Sequence, residues 1–193
     1  MSDKFADNLE IEVKVRLADC AAFAAKLPAL GFQLRTPETM ERNVLFDSRE
    51  GGLWQKRQLL RIRRYGEKWV LTHKAEGAYD PAAMHKMRVE TETTVEDGEA
   101  LAAIFKELGY FPVFIYEKRR TEWTDDEGHI VIDVTPIGDF AELEGEPAWI
   151  DRTAARLGIE GREYLTASYT QLFQEWKNAT RHEAENMTFA EVE

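Results

Sequence analysis

The chain enters its first predicted strand with Leu9-Glu10-Ile11-Glu12-Val13-Lys14-Val15-Arg16, in which apolar and charged side chains alternate strictly. Successive side chains of a β-strand point to opposite faces of the sheet. The stretch therefore predicts a strand over residues 9–16 with one apolar face and one ionic face. The ionic face carries Glu10, Glu12 and Lys14.

The same alternation recurs in strand after strand along the rest of the chain. Solvated strand faces usually include uncharged polar residues, so repeated long ionic side chains need a particular explanation. The charged alternate positions comprise seven basic residues, Lys14, Arg61, Arg63, Lys74, Arg88, Lys118 and Arg120, and seven acidic residues, Glu10, Glu12, Glu90, Glu92, Asp133, Glu142 and Glu144.

The remaining patterns predict eight strands and four helices without a linker or a fixed-period repeat. Most of the strands occur in hairpins, which favours an antiparallel sheet. A closed barrel of about eight strands has room inside for side chains or one small ligand. We therefore expect an α+β protein, a closed eight-stranded antiparallel β-barrel with helices packed outside. Residues 1–178 would form this single domain, and residues 179–193 an acidic C-terminal tail.

The charged faces have two explanations that alternation alone leaves open. They could form exposed salt-bridge ladders on an open sheet. If the apolar faces pack against helices instead, the charged faces meet inside the barrel, where unpaired ionisable groups are very costly. They must then pair, stay hydrated or bind an ionic ligand. Such an interior suits a polyanion with divalent cations, because Arg and Lys bind phosphate oxygens and carboxylates hold Mg²⁺ or Mn²⁺.

Composition narrows the protein class. The 193 residues are 44% apolar and 32% charged, which is typical of a soluble globular protein. The net charge of −11 argues against a nucleic-acid binder held by a broad basic surface. No run approaches the roughly 18 apolar residues of a membrane span, and no signal peptide is evident. The single cysteine, Cys20, excludes an internal disulfide, and we expect a cytoplasmic protein.

The ionic motifs follow one another in a characteristic order. After Glu10-x-Glu12-x-Lys14 come Phe46-Asp47-Ser48, Leu60-Arg61-Ile62-Arg63, Thr72-His73-Lys74, Arg88-x-Glu90-x-Glu92, Glu117-Lys118-x-Arg120, Ile132-Asp133 and Gly138 to Glu144. The ordered set resembles the CYTH superfamily, also called triphosphate tunnel metalloenzymes. The stretch from Leu108 to Arg120 and the stretch from Gly138 to Glu144 are most similar to its CyaB-like, class IV adenylate cyclase branch.

The resemblance implies an eight-stranded tunnel that binds a triphosphate, and it implies roles for the charged residues. The implied metal ligands are Glu10, Glu12, Glu142 and Glu144, assisted by Asp133 and by Glu90 or Glu92. The implied phosphate-binding residues are Lys14, Arg61, Arg63, Lys74, Arg88, Lys118 and Arg120. The implied cofactor is Mg²⁺ or Mn²⁺.

The resemblance leaves the reaction open. The favoured one is hydrolysis of inorganic triphosphate, thiamine triphosphate or a nucleoside triphosphate to diphosphate and phosphate. The alternative is cyclisation of ATP to cAMP and pyrophosphate. A non-catalytic polyphosphate-binding module is a third interpretation. Lys118 is either a phosphate-binding residue or a catalytic proton acceptor, if neighbouring cations such as Arg120 lower its pKa.

Cyclisation requires a pocket for the base at a tunnel mouth. Phe46, Trp54, Trp69 and Tyr79 are the aromatic residues that could stack on adenine, although ordinary packing explains each of them. The cyclase branch often carries a His-Phe-x-Arg-like element, to which His85-Lys86-Met87-Arg88 corresponds only in part. This departure favours the hydrolase.

The last predicted helix carries aromatic residues at spacings that suit packing. Tyr169, Phe173 and Trp176, with Tyr164 just before them, could cover the barrel or a second subunit, so a homodimer remains open.

Overall fold

The computed structural model describes residues 9–76 and 85–192. Its framework is a single sheet of eight strands. They are β1 (Leu9–Leu17), β2 (Gln33–Asp47), β3 (Leu59–Tyr65), β4 (Lys68–Glu76), β5 (Lys86–Val95), β6 (Phe111–Thr124), β7 (Gly128–Thr135) and β8 (Gly138–Gly145).

The sheet closes into a barrel in the order β1-β5-β4-β3-β2-β6-β7-β8. Every neighbouring pair is antiparallel. The prediction of a closed eight-stranded antiparallel barrel with external helices is therefore confirmed. Closure also leaves no edge strand in the sheet.

Helices lie on the outside of the barrel. They are α1 (Cys20–Ala24), α2 (Gly52–Gln55), α3 (Gly98–Glu107), α4 (Pro147–Leu157), α5 (Tyr169–Thr180) and α6 (Phe189–Val192), with 3₁₀ turns at Pro28–Leu30 and Gly161–Glu163. Asp19 and Asp97 are the N-caps of α1 and α3, where their side chains accept hydrogen bonds from the first turns. No helix of the described residues is long and apolar enough to span a membrane.

The apolar face of β1 points outward, under α1 and α4. Val13 and Val15 belong to a buried cluster that includes Phe23 of α1 and Trp149 of α4. Because these outward positions are covered by helices, the alternate positions Glu12 and Lys14 face the interior. This arrangement decides between the two explanations of the charged faces, since they line the barrel and not an open surface.

Several boundaries differ from the sequence prediction. The sequence pattern predicts the second strand only from about Arg42, whereas β2 begins at Gln33, about nine residues earlier. The four predicted helices do not include the short helices α2 and α6. Gly77 and Pro81 predict a loop over residues 75–85, of which residues 77–84 lie outside the described residues.

A second apolar cluster covers the opposite part of the barrel and includes the C-terminal segment. Tyr169 and Phe173 of α5 are buried there, so the prediction that this helix packs on the barrel is confirmed. Met187 is also fully buried. Its backbone pairs with β6, because its N–H donates to the Ile115 carbonyl at 3.0 Å and its carbonyl accepts from the Glu117 N–H at 2.9 Å.

Candidate active site

A cavity of about 340 Å³ lies inside the barrel, and its walls are largely ionic. All seven predicted phosphate-binding residues line it. Among the predicted metal ligands, every residue except Asp133 lines it. The further charged lining residues that sequence reasoning did not single out are Arg35, Lys86 and Glu122.

One end of the cavity is organised around the buried Asp133 of β7. Its carboxylate accepts hydrogen bonds from Lys118 Nζ at 2.9 Å and from Arg120 Nη2 at 2.7 Å. The hydroxyl of Tyr169 donates to it at 2.7 Å. Asp133 is fully buried and saturated by these donors, so the structure places it behind the cavity wall, where it orients Lys118 and Arg120.

The carboxylate of Glu142 joins β8 to two of these cations. It accepts from Lys14 Nζ at 2.6 Å and from Arg120 Nη2 at 2.6 Å. Burial alone would raise the pKa of Glu142, but Lys14, Lys118 and Arg120 hold it well below its usual range. Glu142 therefore remains ionised within the group of cations.

Glu12 and Glu144 lie directly opposite each other on β1 and β8. Like charges at opposite positions are destabilising unless a cation lies between them. Burial raises the pKa of Glu144 to about 7, and the carboxylates of Glu10, Glu12 and Glu142 add to this effect. Within the described ranges, no ion pair or hydrogen bond to the Glu144 carboxylate is present, and the charge of Lys74 offsets only part of the increase in its pKa.

Glu12 has the opposite electrostatic environment, although it is adjacent to Glu144. Burial would raise its pKa, but the ammonium groups of Lys86 and Lys14 outweigh burial and lower the pKa to about 2. Lys86 lies opposite Glu12 on β5 and is paired with its carboxylate.

The wall formed by β3, β4 and β5 carries arginines and a carboxyl pair. Glu92 accepts from Thr72 Oγ1 at 2.6 Å and from Arg63 Nη2 at 3.0 Å. Burial raises the pKa of Glu90 to about 8, aided by Glu10 and by its hydrogen bond with Glu92. The pKa of Glu92 is lowered to about 2 in spite of burial, mainly by the hydrogen bond from Glu90 and by Arg63. Of the two carboxyl groups, Glu90 is therefore the one that takes up a proton more readily.

The remaining predicted cations of this wall also have partners. Lys74 Nζ contacts Glu10 at 2.6 Å and Glu90 at 2.7 Å. Arg88 differs from the other predicted residues because its guanidinium donates to the backbone carbonyl of Arg57 at 2.6 Å.

Sequence reasoning missed Glu41, the central anion of the barrel. Its carboxylate has no solvent-exposed surface and lies 3.4 Å from Lys118 Nζ and 3.8 Å from Arg120 Nε. Burial would raise the pKa of Glu41, but Lys118, Arg120 and Arg63 hold it far below its usual range. The available sequence signal was that Glu41 and Asn43 occupy alternate positions of β2. Glu41 lies before Arg42, where the predicted strand starts, and was therefore not considered.

Tyr169 was assigned to packing alone, yet it also forms part of the cavity. Its ring covers the ammonium groups of Lys14 and Lys118, at 4.6 and 4.8 Å from the ring centroid. The Tyr169 ring also stacks on the ring of Tyr116. The Tyr116 hydroxyl accepts a hydrogen bond from Arg61 Nη1 at 3.1 Å. Both tyrosines therefore shape the end of the cavity nearest α5.

The carboxylates do not converge on a common point. Within residues 9–76 and 85–192, no group of three His, Cys, Asp or Glu side chains has metal-ligating geometry. The physical reason is that lysines and arginines pair with most of these carboxylates. The chemistry of the donors, as distinct from their arrangement, fits a hard divalent cation, because the carboxylates of Glu10 and Glu12 raise the pKa of Glu144 and a cation would offset this repulsion.

Three of the four proposed adenine-stacking residues do not line the cavity. Phe46 packs edge-on against Phe105, with ring centroids 5.3 Å apart. Trp69 covers Gly98 on the outside of the barrel, and Trp54 is 66% exposed on α2. Tyr79 lies outside the described residues.

Known proteins with similar sequences carry cyclase names. The chain is 29% identical over 185 residues to adenylate cyclase CyaB of Aeromonas hydrophila, covering 90% of this chain and 93% of that protein. A candidate adenylate cyclase of Methanocaldococcus jannaschii is 28% identical over 137 residues, 70% of this chain and 76% of that protein.

Solved structures share the fold. The PH1012 protein of Pyrococcus horikoshii superposes with a TM-score of 0.71 at 26% identity, covering 84% of this chain and 98% of that one. HpAC1 of Hippeastrum, described as a candidate adenylyl cyclase with a dominant triphosphatase activity, has a TM-score of 0.64 at 21% identity, with 86% and 95% covered. The CYTH domain family model matches residues 8–160. With the closed ionic barrel, this match shows that the chain belongs to the CYTH family.

Proposed function

We propose that this protein is a metal-dependent triphosphatase that hydrolyses an inorganic or organic triphosphate to diphosphate and phosphate. The observation that carries the proposal is the cavity inside the barrel, which is lined by arginine and lysine on most of the strands. Its volume of about 340 Å³ lies at the lower end of the range for ligand pockets, which favours a compact substrate. The triphosphatase activity described for HpAC1, a protein with the same fold, agrees with this choice.

The cations provide the phosphate-binding part of the proposed site. Guanidinium groups bind phosphate oxygens in a bidentate manner, and ammonium groups bind them as compact charges. In the ligand-free barrel, internal carboxylates accept these hydrogen bonds, and the phosphate oxygens would replace them. The proposed phosphate-binding residues are Lys14, Arg61, Arg63, Lys74, Arg88, Lys118 and Arg120.

The carboxylates of β1 and β8 provide the metal-binding part. Glu10, Glu12, Glu142 and Glu144 would hold Mg²⁺ or Mn²⁺. The raised pKa of Glu144, caused by burial and by the neighbouring carboxylates, supports a cation at this position. A bound divalent ion supplies charge neutralisation for the phosphate oxygens and lowers the pKa of a bound water. Asp133, Glu90 and Glu92 would assist indirectly, since each is hydrogen bonded to other residues of the barrel.

Hydrolysis requires a water oxygen to attack the terminal phosphorus while the bond to the bridging oxygen breaks. The water proton leaves to a base, and the diphosphate departs with the bridging oxygen. The residues contribute mainly by positioning the substrate and by neutralising the developing charge. Lys118 lies between Asp133 and Glu41, an environment that suits an ammonium group which binds phosphate. We therefore assign it to phosphate binding and leave the proton acceptor as its second role.

Cyclisation of ATP is the second candidate, and the name of the Aeromonas relative favours it. The same tunnel could present the α-phosphorus to the ribose 3′-hydroxyl. The described residues offer less support, because Phe46, Trp54 and Trp69 do not line the cavity.

The decisive experiment incubates the purified protein with inorganic triphosphate, thiamine triphosphate or ATP, each with Mg²⁺ or Mn²⁺. Mass spectrometry separates diphosphate plus phosphate from cAMP plus pyrophosphate. We expect hydrolysis that requires metal and that Glu12→Gln abolishes while the protein still unfolds cooperatively. Glu67→Gln is the matched control, since that side chain is 92% exposed. Formation of cAMP would replace the hydrolase by the cyclase, and binding without turnover would leave a polyphosphate-binding module.

A further inference from the structure

Three of the proposed metal-binding carboxylates are each paired with a lysine. The lysine ammonium groups lie in the positions from which a cation would bind these carboxylates. The three pairs are Lys14 with Glu142, Lys74 with Glu10 and Lys86 with Glu12.

Two of these lysines are held by further contacts. Lys14 is almost fully buried, and the Tyr169 ring covers its ammonium group at 4.6 Å. Lys74 contacts a second carboxylate, Glu90, at 2.7 Å. Neither lysine can leave its carboxylate without losing another interaction.

Lys86 is different. It is the first residue of β5, its side chain is 21% exposed, and Glu12 is its one ion-pair partner among the described residues. A lysine side chain has a long flexible stem and a strongly hydrated ammonium group, so it can move into solvent at low cost. Lys86 is therefore the lysine of the three that can leave most easily.

Lys86 also lies at the carboxylate group with the least compensated charge. Glu12 is opposite Lys86 on one side and opposite Glu144 on the other. A divalent ion that joins Glu12 to Glu144 competes with the Lys86 ammonium group for the negative charge of the Glu12 carboxylate.

We infer that Lys86 competes with the divalent cation for the Glu12 carboxylate. Its ammonium group is paired with Glu12 until the metal displaces it. This inference rests on the proposed function, because it concerns the same carboxylates. The lysine weakens metal binding and selects for a doubly charged ion. A monovalent ion would gain no charge by replacing an ammonium group, whereas Mg²⁺ or Mn²⁺ brings one additional charge to the carboxylate pair.

The test measures Mn²⁺ binding to the substrate-free protein by electron paramagnetic resonance of the free ion. Lys86→Met removes the ammonium group and keeps most of the stem. We expect it to tighten Mn²⁺ binding by about tenfold or more, since the metal no longer breaks an ion pair. Lys86→Gln should act in the same direction, whereas Lys86→Arg should keep the wild-type affinity or weaken it.

Lys26→Met is the matched control, because Lys26 is exposed and its substitution removes the same unit of charge. Unchanged or weaker Mn²⁺ binding in both Lys86→Met and Lys86→Gln, with cooperative unfolding retained, would overturn the inference while leaving the proposed function intact. If Lys26→Met tightens Mn²⁺ binding by the same factor, the change is an effect of net charge, and the inference is also overturned. Absence of Mn²⁺ binding in the wild type and all variants would contradict both the metal-dependent function and the competitor.

Discussion

Glu144 is the residue at which function and stability oppose each other most directly. It has a raised pKa of about 7, whereas an unfolded glutamate titrates near 4.5. Between these two values the folded protein binds more protons than the unfolded chain, so stability falls as the pH rises through this window. Below about pH 4.5 the cost of its charge is absent, and above about pH 7 the full cost applies.

Glu144→Gln should therefore stabilise the metal-free protein at alkaline pH. In buffer with a chelator we expect the melting temperature to rise by roughly 3 °C or more at pH 8.5, and by much less at pH 5. Thermal unfolding followed by circular dichroism at the two pH values measures the difference. Equal shifts at both pH values would show that the carboxylate does not carry the cost. The same substitution should abolish metal-dependent hydrolysis.

Arg63 and Arg64 are neighbours with opposite orientations, which allows a matched comparison. Arg63 faces the cavity and contacts Glu92 at 3.0 Å, whereas Arg64 is about half exposed and contacts Glu67 at 3.3 Å. Arg63→Ala leaves Glu92 with the Thr72 hydroxyl and Arg61, so the loss of stability should be small.

We expect Arg63→Ala to raise the KM for the triphosphate by about tenfold or more, because a charge-assisted phosphate contact is lost. Arg64→Ala should keep the wild-type KM. Steady-state kinetics with thermal unfolding of both variants provide the measurement. If Arg63→Ala lowers the melting temperature strongly and substrate does not restore it, Arg63 has a structural role.

At the scale of elements, β2 shows how far the sequence predicts the site. The strands β1, β3, β5 and β8 carry their inward charges at alternate positions, so these charges could be read directly from the sequence. Strand β2 is longer, contains Pro37 and has register irregularities against β6 before Thr39. These features interrupt the alternation, and Glu41 was missed for that reason. Pairing is a property of three-dimensional contacts, so the roles of Asp133 and Lys86 could not be predicted from spacing.

Helix α5 closes one end of the cavity, and its first turn depends on a capping box. The Ser168 hydroxyl accepts from the Gln171 N–H at 3.3 Å, and the Gln171 side chain accepts from the Ser168 N–H at 2.8 Å. Ser168 and Thr170 also line the cavity.

Ser168→Ala should loosen this end of the cavity without unfolding the barrel. We expect a loss of about 1 kcal/mol in the free energy of unfolding. Amide hydrogen exchange should become faster in the first turn of α5, from Tyr169 to Phe173, and remain unchanged in α3. Uniform acceleration in both helices would indicate a global loss of stability and contradict a local role for the cap.

At the scale of the whole molecule, the barrel reverses the usual distribution of polar and apolar side chains. Its inner face is ionic, and its outer face contributes the apolar core with the surrounding helices. Most of the internal charges are paired with each other, with Glu144 as an exception, so the ligand-free barrel closes with little unpaired buried charge. The hydrophobic stabilisation therefore depends on what covers the barrel from outside.

The C-terminal segment, residues 179–192, belongs to this outer apolar layer, although its acidic composition suggests a tail. The fully buried Met187 pairs with β6 and packs in the cluster of Tyr169 and Phe173. We expect Met187→Ala to lower the free energy of unfolding by about 2–5 kcal/mol, measured by urea denaturation. Met40→Ala is the control, because Met40 is 45% exposed on β2, and its loss should stay below about 1 kcal/mol. Equal losses in the two variants would show that the segment docks without contributing to the core. A larger loss for Met187 would place the boundary of the folded domain beyond residue 178, because the barrel then needs residues of the predicted tail for its full stability.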